Sequence, residues 1–148
     1  MKAVVDGAVV PMTEATDPVF SSCALGNGVV IRPTSDVIVA PADGTVTVTM
    51  DGSNHAIGLE LTGGLEVLIH IGVDTVNLNG EGFKALAKTG DTVKAGDELI
   101  RFEREALEAK GYCMEVMQIV MEGEHSGDVQ YTTGVTAKAG ETIVGIWQ

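Results

Sequence analysis

The chain has 148 residues, carries a net charge of -12 and is 45% hydrophobic, with only 4% aromatic residues. That length fits one domain, residues 1–148, with a real core built from aliphatic side chains. The acidity leaves no basic stripe for a nucleic acid, and no window reaches the ~18 apolar residues of a membrane span, so direct membrane insertion is not expected.

The N-terminal "MKAVVDGAVVPM" is too short and too acidic for a signal peptide, which reads as a cytoplasmic protein. Short runs rich in Val, Ile and Thr then recur: 29–33, 36–50, 55–62, 65–72, 98–103, 115–120 and 142–147. Most gaps between them carry Gly, Asp or Pro, the punctuation of β-structure. Helical signals are few. The stretch "GEGFKALAKTG" (80–90) is expected to hold one or two turns around Phe83, Leu86 and Ala87, and "EREALEAKG" (103–111) two turns ending at Gly111. The fold class is therefore all-β with one or two short helical turns. A faint repeat relates "TGDTVKAGDELIRF" (89–102) to "TGVTAKAGETIVGIW" (133–147), as in a sandwich with partly duplicated halves. The two cysteines, Cys23 and Cys113, have no metal-type spacing; two free thiols are expected, with one disulfide as the alternative.

The chemistry concentrates in "SNHAIGLELTGGLEVLIHIGVDTV" (53–76). Gly63 and Gly64 suit a two-residue hairpin turn. That register pairs Thr62 with Leu65, sets Ile57 opposite His70 and His55 opposite Gly72, and so places His55, Ile57, Leu59 and Leu61 on one face with His70, Leu68 and Glu66. His55 and His70 are then diagonal neighbours, ~7–8 Å apart at the backbone, with side chains that can meet. A lone strand histidine is usually structural; two on one hairpin face point to chemistry. His125, in a polar run, reads as merely exposed.

Two imidazoles allow three chemistries. A zinc site would need four ligands, and neither cysteine nor a third histidine has suitable spacing, although Glu66 shares the face. Acid–base catalysis would need a nucleophile, and no Ser or Cys is marked out nearby. The third option makes one histidine the nucleophile of a phosphoryl transfer, with the second imidazole and the backbone after His70, approached closely at Gly72, donating to the phosphoryl oxygens.

The segment "NHAIGLELTGGLEVLIHIGVDTVNLNGEGF" (54–83) resembles the signature of the glucose-type enzyme IIA domain of the bacterial phosphoenolpyruvate-dependent sugar phosphotransferase system. "DPVFSS", "GNGVVIRPT", "VAPADGTV" and "GDTVKAGDELIRFE" follow that family's order, so the resemblance covers most of the chain. It implies an antiparallel β-sandwich. It also implies that His70 is phosphorylated on its outer ring nitrogen and that His55 hydrogen-bonds the phosphoryl group. Ser53 would orient His55, and Asp74, Thr75 and Val76 would line the phosphate site. Val19, Phe20 and Leu68 would form an apolar docking rim. The implied partners are the histidine phosphocarrier protein and an enzyme IIB domain of a sugar permease, which places the chain in the cytoplasm beside a membrane permease. No cofactor is implied, but zinc bridging His55 and His70 with a partner carboxylate fits the pair. Two departures stand out: Leu68 and Asp51 occupy places where relatives carry Phe, and "GYCMEVMQIVMEG" lacks the expected Thr-Pro-Val type sequence.

Three other readings compete. The phosphorylation state of the domain would be read by regulatory partners, since a phosphoryl group adds ~1.5–2 negative charges. A biotinyl or lipoyl carrier would need a lysine on a Met-Lys-Met or Asp-Lys-Ala hairpin, and none has that context. A zinc peptidase would need a His-x-His, which is absent.

Overall fold

The structure is a computed structural model that describes residues 1–147. Every strand pairing among those residues is antiparallel. Strand β1 (Gly7–Pro11) pairs with β2 (Gly26–Pro33) after an excursion that carries a one-turn helix, α1 (Pro18–Ser21). Asp17 caps that helix by accepting the Val19 N–H at 2.9 Å, and Pro18 sits where no helical N–H is needed. The run 36–50 divides into β3 (Val37–Val39) and β4 (Gly44–Thr49) around Pro41 and Asp43. A hairpin of β5 (Ala56–Leu61) and β6 (Glu66–Ile71) follows.

The segment 80–90 is not helical. It forms β7 (Phe83–Ala85), which pairs with β9 (Glu98–Phe102), and the Phe83 and Phe102 rings stack with centroids 6.3 Å apart. Gly80 and Gly82, at φ of 92° and 85°, break the chain before Phe83, and the stacking of Phe83 on Phe102 favours the strand. Between β7 and β9 lies β8 (Thr92–Val93). The second helical expectation holds: α2 spans Arg104–Ala109, and Gly111 follows at φ 95°. The chain continues through β10 (Val116–Met121), β11 (Gln130–Tyr131), β12 (Thr136–Ala137) and β13 (Gly145–Ile146).

Eight strands form one sheet in the order β12-β1-β2-β10-β6-β5-β4-β8; β3-β9-β7 and β11-β13 form two smaller ones. The main core joins Val29, Ile57, Val67 and Ile69 of the large sheet to Ile38, Leu99 and Ile100 of the three-stranded sheet. The result is the antiparallel β-sandwich expected from the sequence.

The repeat is structural as well. In each copy a Lys-Ala-Gly-acidic turn closes on itself, with Asp97 N–H to Lys94 O at 2.9 Å and Glu141 N–H to Lys138 O at 3.1 Å. Each turn is held by an aspartate of an Asp-Gly pair: Asp43 accepts from Ala95 N–H at 2.9 Å, and Asp6 accepts from Ala139 N–H at 2.7 Å. Gly44 then pairs with Val93, and Gly7 with Ala137. The second half of the duplication, Asp6-Gly7 against Asp43-Gly44, is too short to stand out in the sequence.

The hairpin register differs from the expected one by one residue. Ala56 pairs with His70, Ile57 with Ile69 and Glu60 with Glu66. The Leu61 N–H bonds the Leu65 carbonyl at 2.8 Å, so the loop is three residues, Thr62-Gly63-Gly64, with both glycines at positive φ. Ile57, Leu59 and Leu61 consequently turn into the core with Val67 and Ile69, while His70 and Leu68 face outward.

Candidate functional site

The outward face of the large sheet carries a row of opposed residues: Ala56, His70, Met117, Val30 and Val10. The excursion between β1 and β2 folds over part of this face. Met12, Ala15 and Phe20 pack there on Val30, Met117 and Ile119 as a second, smaller core, with Leu68 at its margin. His70 stands where this cover ends. Its ring meets Phe20 on one side, centroids 4.8 Å apart, and His55 on the other, centroids 4.9 Å apart at an interplanar angle of 80°.

His55 reaches His70 although the shifted register does not align their faces. It lies one residue before β5 begins, and Asn54, at φ 53°, bends the chain there, so strand alternation does not extend to it. Its carbonyl still accepts the Ile71 N–H at 2.8 Å, which anchors it beside the end of β6. The Ser53 hydroxyl lies 2.8 Å from His55 Nδ1 and 3.5 Å from the Met50 carbonyl. With Nδ1 engaged, the Nε2 edge of His55 is the one that reaches the surface.

His70 is oriented in the same sense. Its Nδ1 is buried with no hydrogen bond of ordinary geometry, which leaves Nε2 as the accessible nitrogen. The Gly72 backbone is close enough to favour a proton on the ring, but burial outweighs it, and with His55 alongside pushes the His70 pKa down to about 4; the Asp17 carboxylate opposes that shift. Burial lowers the His55 pKa too. Both imidazoles are thus neutral near pH 7, and His70 presents a lone pair at Nε2.

The segment after His70 is tightly built. Gly72 has φ 78°, and a Cβ there would fall 2.5 Å from Thr75 Cγ2. Its N–H bonds Glu115 O at 2.7 Å, and the Val73 N–H bonds Cys113 O at 2.9 Å. These two N–H groups are therefore not free for a phosphoryl group, contrary to the expectation for the backbone immediately after His70. Asp74 is exposed and left-handed at φ 58°. Thr75 is fully buried, its hydroxyl donating to the Ile71 carbonyl at 2.6 Å, so it braces the loop. Val76 is 51% exposed.

The remaining expectations divide. Val19, 52% exposed, and the half-buried Leu68 lie at the surface, but Phe20 is only 5% exposed and forms the wall of the His70 site. Asp51 is exposed. Glu66 lies four residues up the strand from His70, about 13 Å away, too far to share a metal with it. Among the described residues no group of three or more His, Cys, Asp or Glu could hold a metal ion. Cys23 and Cys113 are both free thiols. His125 is partly exposed, 3.6 Å from the Asp128 carboxylate. Two site residues were missed in the sequence. Asp17 had one usable signal, "DP" before an apolar pair, which marks a helix cap. Glu115 carried no signal at all.

Residues 1–126 match the profile of the family described as phosphoenolpyruvate-dependent sugar phosphotransferase system, EIIA 1. The chain belongs to this family, as the 54–83 segment suggested, and is a component of a sugar phosphotransferase system. It is 41% identical over 138 residues to the glucose-specific EIIA component of Bacillus anthracis, covering 93% of this chain and 83% of that protein. It is 40% identical over 139 residues to the glucose-specific EIIBCA component of Corynebacterium glutamicum, where it spans 94% of itself but 20% of the longer protein. Among solved structures, glucose permease IIA from Mycoplasma capricolum superposes with a TM-score of 0.83 at 29% identity, covering 97% of this chain and 92% of that one.

Proposed function

We propose that the chain is a phosphocarrier in sugar uptake, with His70 as the residue that holds the phosphoryl group. The carrying observation is the pairing of a buried Nδ1 with an accessible Nε2 on a histidine kept neutral near pH 7. Nε2 attacks the phosphorus of a phosphohistidine on the histidine phosphocarrier protein. The donor's N–P bond breaks as the His70 Nε2–P bond forms, and Nδ1 keeps its proton. The nearby Gly72 backbone favours that proton, and a protonated ring is the better leaving group when a cysteine thiolate of an enzyme IIB domain takes the phosphoryl group in turn.

His55 supplies the donor for the phosphoryl oxygens. If Ser53 donates to His55 Nδ1, the ring proton sits on Nε2, the edge at the surface. The N–H groups of 74–76, which open a short 3-10 turn, are the remaining backbone candidates. Fusion of related domains in single EIIBCA and EIICBA chains, such as the N-acetylglucosamine-specific EIICBA component of Klebsiella pneumoniae, supports an enzyme IIB partner. No helix among the described residues is long and apolar enough to cross a membrane, which fits work in the cytoplasm beside a permease. The two surface-facing Nε2 edges also make half of a zinc site, completed by a partner's carboxylate.

The test is phosphorylation by phosphoenolpyruvate with enzyme I and the carrier protein. Label is expected on His70, acid-labile and alkali-stable, and absent from His70→Ala. Label retained by His70→Ala would overturn the assignment.

A further inference from the structure

The segment "CMEVMQ" places a buried carboxylate against the excursion that covers the His70 face of the sheet. Glu115 is 7% exposed, and its two ends grip different parts of the site. Its backbone carbonyl accepts the Gly72 N–H at 2.7 Å. Its side chain reaches the other way: Oε1 accepts the Thr16 N–H at 3.0 Å, and Oε2 lies 3.6 Å from Arg32 Nε. Thr16 immediately precedes Asp17, whose carbonyl accepts the Phe20 N–H at 3.0 Å and whose side chain caps α1. Phe20 then lies on His70.

We propose that Glu115 is a positioning residue for phosphoryl transfer at His70. It ties the excursion that carries Phe20 to the strand edge that carries Gly72, and so holds the two walls of the His70 site at a fixed separation. The physical reason is the cost of burying a carboxylate. An ionised group taken out of water must be compensated inside, and Glu115 is compensated by a hydrogen bond from an N–H of the excursion and by an ion pair with the Arg32 guanidinium of β2. A charge-assisted bond of that kind is stronger than a neutral one, and here it spans 99 residues of sequence to hold a loop that otherwise rests on a small apolar cluster. The groups that face His70 are His55 from the start of β5 and Asp17 from the excursion, so moving the excursion changes both the cover and the charge around the ring.

The inference rests on the phosphocarrier reading for its rate readout and is independent of it for its titration readout. Three variants are compared: Glu115→Ala, Glu115→Gln, which keeps an oxygen acceptor for Thr16, and Phe20→Ala. NMR titration of His70 and the rate of phosphoryl acceptance from the carrier protein are measured on each. In Glu115→Ala the His70 pKa is expected to rise toward its ordinary value and acceptance to slow on the order of tenfold. Glu115→Gln is expected to recover most of both. Phe20→Ala should reproduce the titration shift, and Glu115→Ala should add little to it in the double variant. A Glu115→Ala protein that melts lower but titrates and accepts like the parent overturns the proposal and leaves Glu115 merely structural. Should Glu115→Ala fail to fold, a Glu115→Gln protein whose Thr16 amide loses its hydrogen-exchange protection while His70 is unchanged overturns it as well. A parent protein that accepts no phosphoryl group defeats the phosphocarrier reading alone, since the titration arm still decides the positioning role.

Discussion

The rings of His55 and His70 meet edge to face, with centroids 4.9 Å apart, and each ring has its Nδ1 side turned inward and its Nε2 side free. The proposed mechanism makes His70 the nucleophile and His55 the donor, the division of labour that a transferred phosphoryl group requires. His55→Gln is expected to keep some acceptance, because the nucleophile is intact, and to slow onward transfer to the enzyme IIB cysteine. Single-turnover measurement of both half-reactions checks this; complete loss of acceptance would make His55 essential for the first step.

The Ser53 hydroxyl lies 2.8 Å from His55 Nδ1, and the proposed mechanism has it donate there, which leaves the ring proton on Nε2. Ser53→Ala removes one hydrogen bond, worth about 1 kcal/mol. The expected result is a small loss of stability and a changed distribution of the His55 ring proton, read from the imidazole nitrogen shifts.

The stability of the fold should depend on pH through His70. Its pKa is about 4 in the folded chain against 6.5 when unfolded. Between those values the unfolded state binds the proton more readily, so stability rises with pH across that window and is lost as pH falls from about 6.5 toward 4. Burial of His55 acts in the same direction. The His70 share is about 2 kcal/mol after allowance for solvent screening. Denaturation of the parent and of His70→Gln at pH 7 and pH 4.5 checks it: the variant should show the flatter dependence, and equal slopes would contradict the geometry.

Gly72→Ala should harm both fold and site. The φ of 78° disfavours any side chain, and the new Cβ would press on Thr75, which has no room because it is fully buried. A loss of about 1–3 kcal/mol is expected, with slower acceptance at His70 even in protein that remains folded. A thermal melt combined with the phosphorylation assay separates the two effects.

Much of this was legible in the chain itself. Strands β2, β5, β6, β9 and β10 stood out because their Val- and Ile-rich runs are bounded by Gly, Asp or Pro, and the Lys-Ala-Gly turns announced the duplication. The helix at 103–111 was legible because Gly111 ends it. The stretch 80–90 misled: its Ala, Leu and Lys favour a helix, but glycines on either side of Glu81 and the stacking of Phe83 on Phe102 favour a strand. The hairpin register misled as well, since Gly63-Gly64 suits a two-residue turn and only the ladder shows that Thr62 joins the loop.

The sequence alone settled local features: the longer Val- and Ile-rich strands, the Lys-Ala-Gly turns, and a histidine on the outer side of β6 whose apolar alternation leaves it no other place. What the tertiary structure decided was every relationship across distance. Strand alternation cannot describe His55, because Asn54 bends the chain before β5, and only the folded chain brings that ring to His70. Phe20 reads as a surface residue until the 12–25 excursion is seen packed over the sheet. Glu115 is one acid among many until burial obliges its carboxylate to find partners, and those partners are 99 and 83 residues away in the chain, at Thr16 and Arg32.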